Sequence, residues 1–141
     1  MSILTLGTVL LLAQLSAPGN SLPQVLTPEF KTAPVKSGKT EVTVSFKVTK
    51  DYVINHTPPM TLKLTETSGV TLAKKDFTTP DKDPKSKDEY YVDIPTIIVP
   101  VTVSKPGSYS IPAQLKYFFC SKKDDFCSVQ SIDIRIPVRA E

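Results

Sequence analysis

The stretch that decides the fold is Ser108–Val138, SYSIPAQLKYFFCSKKDDFCSVQSIDIRIPV. Tyr109, Ile111, Ala113, Leu115, Tyr117 and Phe119 fall on one parity, with Gln114 and Lys116 on the other. After a charged interruption, Ile132, Ile134, Ile136 and Val138 alternate with Ser131, Asp133 and Arg135. A period of two marks a strand with one buried face, and two such runs across a short polar stretch read as a β-hairpin. The connection holds the two cysteines of the chain, Cys120 and Cys127, with six residues between them, four of them charged.

The same period recurs upstream. In EVTVSFKV, Val42, Val44, Phe46 and Val48 share one parity, which gives a half-buried strand. Pro58 and Pro59 break the following segment into a loop and then a strand carrying Leu62 and Leu64. Ser68-Gly69 marks a turn, and Val70 and Leu72 suggest a short strand. Lys74–Glu89 is charged, contains prolines and has almost no apolar residue except Phe77. It reads as a loop, and loops of that length are uncommon unless functional or disordered. Tyr90–Val103 reads as a strand, with Pro95 and Pro100 marking bends or an edge, and Lys105-Pro106-Gly107 as a turn. Residues 21–38, punctuated by Pro23, Pro28 and Pro34, read as an extended arm or edge strand. Thirteen prolines against five glycines argue against long helices. About seven strands and no helix fit an antiparallel β-sandwich, a single domain over residues 39–141.

Residues 1–20 read as a signal peptide: an apolar run from Ile3 to Leu15 meets small residues at Ser16 and Ala17. A membrane-spanning helix needs roughly twenty apolar residues, so no span is expected in the mature chain. The expected location is periplasmic or secreted, where a cysteine pair persists as a disulfide. The net charge of +3 is spread out, with no basic tract longer than two residues, so nucleic acid is not an expected partner. No metal or cofactor is expected. Zinc needs about four ligands, and the chain offers two cysteines and one histidine, His56, which beside Pro58-Pro59 reads as a surface residue. Serine hydrolysis lacks a nucleophile motif, and there is no glycine-rich phosphate loop. Asp124 and Asp125 are adjacent and read as a solvated turn, and Asn55-His56-Thr57 matches a glycosylation sequon.

Side chains alternate between faces along a strand. Cys120 shares its parity with Gln114 and Lys116, and Cys127 with Ser131, Asp133 and Arg135. Both cysteines therefore belong to the outward face of the hairpin, where they do not join two sheets. A bond between them closes a short ring worth about 2–3 kcal/mol by loop entropy. A cross-strand bridge can also be strained and more easily reduced. Two readings stand at this point: a structural hairpin staple in a non-catalytic binding module, or a pair that exchanges electrons.

The segment Tyr52–Val138 resembles the N-terminal periplasmic domain of the thiol:disulfide interchange protein DsbD. The features that carry the resemblance are YVINHTPP, the Gly69-Val70 turn, and a long run of β-branched residues. They continue with Tyr117-Phe118-Phe119-Cys120, Phe126-Cys127 after a polar loop, and the closing strand IDIRIPV. The resemblance implies an immunoglobulin-like sandwich whose cysteine pair cycles between dithiol and disulfide. It implies Cys120 and Cys127 as the redox site, with Cys127 as the attacking thiol. It also implies a cap loop near Lys75-Asp76-Phe77, with Asp76 and Phe77 over the sulfurs. The implied partner is a thioredoxin-like protein or domain, or a membrane electron transporter.

Overall fold

The computed structural model describes residues 23–140, and the leader expected at residues 1–20 lies outside them. The two alternating runs form one long hairpin, β8 (Gly107–Ser121) and β9 (Phe126–Ala140), paired from Gly107↔Ala140 to Ser121↔Phe126. The turn closes where Ser121 Oγ accepts the Asp124 N–H at 3.1 Å and Asp125 adopts φ 51°. Aspartate is one of the few residues beyond glycine that visits this left-handed region readily.

The other edge of β8 is shared by two short strands in line. β4 (Thr61–Leu64) pairs with it from Thr61↔Lys116 to Leu64↔Ala113. β3 (Tyr52–Ile54) pairs with it from Tyr52↔Ser121 to Ile54↔Phe119. Pro58 and Pro59 lie between them. Proline has no N–H for the ladder, so one long strand is replaced by two. β6 (Asp76–Thr78) completes this five-stranded sheet at the edge of β4.

The second sheet has the order β1-β2-β7-β5. β1 (Leu26–Pro34) pairs with β2 (Lys39–Val48) over nine residues; β7 (Ile97–Val103) and β5 (Val70–Leu72) follow. All pairings in both sheets are antiparallel, and no helix occurs among the described residues. The chain is an immunoglobulin-like β-sandwich. β1, β2, β7 and β5 stand in the A-B-E-D order, while β4, β8 and β9 take the places of C, F and G. The E–F corner carries its own mark: the Tyr109 hydroxyl, at the start of β8, donates to the Lys105 carbonyl at 2.8 Å, as in a tyrosine corner. Gly69 lies under that ring. Its φ is +86°, and a Cβ there would come within 2.6 Å of Tyr109 Cε1.

The core lies between the sheets. Val42, Val44, Val99 and Val101 face Leu62, Ile111, Leu115, Tyr117, Phe119 and Ile136, and all are buried. Full burial of each such aliphatic or aromatic side chain contributes about 1.5–3 kcal/mol relative to exposure. Tyr117 also ties the sheets at its hydroxyl, which accepts the Leu26 N–H at 3.2 Å and donates to Gln130 Oε1.

Three sequence expectations change. Nine strands replace about seven, because β3 and β6 have three residues each, too few for a period to register. β6 lies inside the segment read as the Lys74–Glu89 loop. The strand expected from Tyr90 begins only at Ile97. The preceding residues cross from one sheet to the other: Tyr91 N–H donates to the Ile54 carbonyl at 2.8 Å, and Val92 is exposed. Among the described residues no helix is long and apolar enough to cross a membrane.

Candidate functional site

Strand register brings the cysteines together. Cys120 and Cys127 are direct partners across β8 and β9, one rung before the turn. They form a disulfide with S–S 2.02 Å and Cα–Cα 4.0 Å. The short Cα separation belongs to a non-hydrogen-bonded pair, where opposed side chains stand closest. Phe119, the neighbour of Cys120, is fully buried in the core, so Cys120 points to the outer face of the sheet. The bridge therefore lies within one sheet and does not join the two.

The two sulfurs are not equivalent. Cys127 is exposed, whereas Cys120 is only 8% exposed although it faces outward. Cys120 has a strand on each side: β9 brings Cys127 and β3 brings Val53. Asn55 follows on the same face, its N–H donating to the Phe118 carbonyl at 2.9 Å. Its side-chain amide lies 3.5 Å from Cys120 Sγ through Oδ1. Tyr90 pairs with Asn55 in an isolated bridge. Along the next rung of the outer face stand Val129, Phe118, Asn55 and Tyr90.

Two clefts open beside this sheet, and neither has a cysteine in its lining. One, of about 630 Å³, opens beside β3 and is lined by Phe46, Tyr52, Val53, Tyr90, Ile94 and Lys122, among others. The other, of about 550 Å³, includes Pro58, Pro59, Lys116 and Phe118. The Lys116 ammonium stands over the Phe118 ring at 5.7 Å. Asp88 and Asp93 also line the first cleft, so the surface around the bridge is apolar with charges of both signs.

The expected cap residues lie elsewhere. Phe77 is opposite Leu62, which is opposite Leu115, and it is buried in the core. Leu115 is five residues from Cys120, about 17 Å at ~3.4 Å per residue, and Phe77 faces the other side of the sheet. Asp76 is opposite Lys63 and exposed. Lys63 in turn pairs with Gln114, roughly 20 Å along β8 from Cys120. The structure does not bring Phe77 or Asp76 to the sulfurs. The apolar exception in a polar segment is a core residue on an edge strand, with Lys74 over its outer side at 5.1 Å.

His56, expected on the surface, is only 8% exposed. Its Nε2 lies 2.9 Å from the Asp88 carbonyl, which can only accept, so Nε2 carries a hydrogen. Nδ1 is 2.9 Å from Thr57 Oγ1, and the ring packs edge-on against Tyr91 at 5.6 Å. The histidine pins the segment Pro80–Thr96 against β3. Tyr91 pins it too: its hydroxyl donates to the Pro80 carbonyl and lies 2.7 Å from Thr79 Oγ1. Burial holds the Tyr91 phenol above its ordinary pKa, with the Thr79 hydroxyl acting in the opposite direction.

Sequence reading missed Asn55 as a neighbour of the sulfur. Its only signal was the sequon, and a side chain set between β8 and Tyr90 offers poor access for a glycan. Among the described residues no three His, Cys, Asp or Glu side chains gather as a metal site. No protein-family model and no curated protein sequence matches the chain.

Proposed function

We propose that this chain is an exported thiol–disulfide exchange protein that passes electrons between thioredoxin-like partners through Cys120 and Cys127. One observation carries the reading: the only disulfide bridges adjacent strands on the outer face of a single sheet, with Cys127 open to solvent. The β8–β9 hairpin is registered over fifteen pairs within one sheet, so the bridge does not join the two sheets across the core. The resemblance to the N-terminal domain of DsbD supports the same reading and supplies the class of partner.

The chemistry balances with a dithiol partner. A partner thiolate attacks Cys127 Sγ, the accessible sulfur, and forms a mixed disulfide. The Cys120–Cys127 bond breaks, and Cys120 leaves with the electron pair and takes up a proton. The partner's second thiolate then attacks the mixed disulfide and releases Cys127. Two electrons and two protons pass to this chain, and the partner becomes a disulfide. Delivery to an acceptor runs the same steps in reverse.

The shelter of Cys120 favours a second reading: a non-catalytic immunoglobulin-like binding module with an inert hairpin disulfide. The reduction potential separates the two, measured by equilibration against glutathione or dithiothreitol with thiol alkylation as the readout. A value between roughly −180 and −270 mV is expected for an exchange protein, and one below about −300 mV assigns a structural staple.

A further inference from the structure

Opening the bridge leaves one sulfur inside. Cys127 is exposed, but Cys120 is only 8% exposed and lies between β9 and β3. A thiolate released there loses most of its water, and an unpaired charge in such a place is costly. The polar side chain in contact with Cys120 Sγ is the amide of Asn55 at 3.5 Å. In the disulfide, Sγ has no hydrogen to give, so this contact is not an S–H bond and either end of the amide can face the sulfur.

We propose that Asn55 is the residue that receives the Cys120 sulfur when the disulfide opens. The inference rests on the exchange reading. An amide serves both products: Nδ2–H donates to a thiolate, and Oδ1 accepts from a thiol. Rotation of χ2 exchanges the two ends without moving the backbone. That backbone is fixed on both sides, by the Phe118 carbonyl and by the bridge to Tyr90. An aspartate would accept from the thiol but repel the thiolate, and an alanine would do neither. The role is local to the leaving sulfur, because Asn55 directly follows β3 on one side of β8 and Cys127 is on the other. Other charged groups at this end of the sheet are Asp51 just before β3, Lys122, Lys123, Asp124 and Asp125 in the turn, and Glu89 beside Tyr90. Lys116 lies farther along β8. They are common to every variant below.

The test titrates Cys120 alone, in the Cys127→Ser protein, by the pH dependence of its alkylation rate. Asn55→Asp is expected to move the midpoint up by about one unit, and Asn55→Ala to move it less in the same direction. In the two-cysteine protein, reduction by dithiothreitol is expected to slow severalfold for Asn55→Asp. A thermal melt confirms that each variant is folded, and Asn55→Ala carries the test if the aspartate variant does not fold. Midpoints and reduction rates within error of the parent overturn the role of Asn55. A parent potential below about −300 mV, with no reduction by a thioredoxin-type dithiol, overturns the exchange reading instead. The alkylation titration still reports on Asn55 in that case.

Discussion

Phe77 and Asn55 exchange the roles that their neighbourhoods in the sequence suggest. Phe77 stands alone among lysines, aspartates and prolines, a setting that points to a loop tip, yet its ring is buried beside Leu62. Phe77→Ala is expected to cost about 3 kcal/mol of stability, read from urea denaturation. The rate of reduction by small thiols is expected to stay at the parent value. A faster reaction with unchanged stability would return Phe77 to the cap. Asn55 looks like a sequon residue, and the sulfur beside it is 65 positions away in the chain. Periodicity gave the face of each cysteine correctly, because alternation in β8 and β9 runs unbroken from strand to turn. It could not give the neighbours across β3, which depend on pairing at a distance.

At the scale of elements, the long alternating strands were legible, as were the short β4 and β5 with apolar residues two apart, but β3 and β6 were not. β2, β8 and β9 each carry at least three apolar residues on one parity. β3 and β6 carry three residues in total each, and tertiary pairing alone makes them strands. The segment Pro80–Thr96 follows another logic. It has few apolar residues, but Asp83 organises it from within: Oδ1 accepts the Lys85 N–H at 2.9 Å, and Oδ2 accepts the Val92 N–H at 2.7 Å and the Asp93 N–H at 3.3 Å. The Lys85 backbone N–H is the main cause that holds the Asp83 carboxyl below its ordinary pKa, with desolvation opposing it and the Val92 and Asp93 N–H groups assisting. The hold is present above the ordinary carboxylate pKa and is lost as pH falls through the lower, folded value. Asp83→Ala is expected to speed amide hydrogen exchange at Lys85, Val92 and Asp93 at neutral pH and to leave the amides of β8 protected. Unchanged exchange at those three amides would show that His56 and Tyr91 suffice to hold the segment.

Across the whole molecule, two buried phenols couple stability to alkaline pH. Burial is the main cause that raises the Tyr117 pKa above 10.0, opposed by the Leu26 and Val25 N–H groups; burial likewise raises Tyr91. The unfolded chain therefore loses these protons first as pH rises. It then binds fewer protons than the folded chain, and stability falls above about pH 10. Below that pH the contribution is complete. The urea midpoint is expected to drop steeply above about pH 10, and Tyr117→Phe to shallow that drop while lowering the midpoint at neutral pH through loss of the bonds to Leu26 and Gln130. A profile of equal steepness in the variant would remove Tyr117 from the account.

The placement of Cys120 and Cys127 beside the turn also bears on assembly of the chain. A slip of one residue between β8 and β9 would turn every core side chain of one strand toward solvent. The sulfurs are seven positions apart, so they meet through a short loop that closes faster than the distant pairings between sheets. An oxidised chain thus starts its search with the longest hairpin already in register, and a reduced chain must find that register by packing alone.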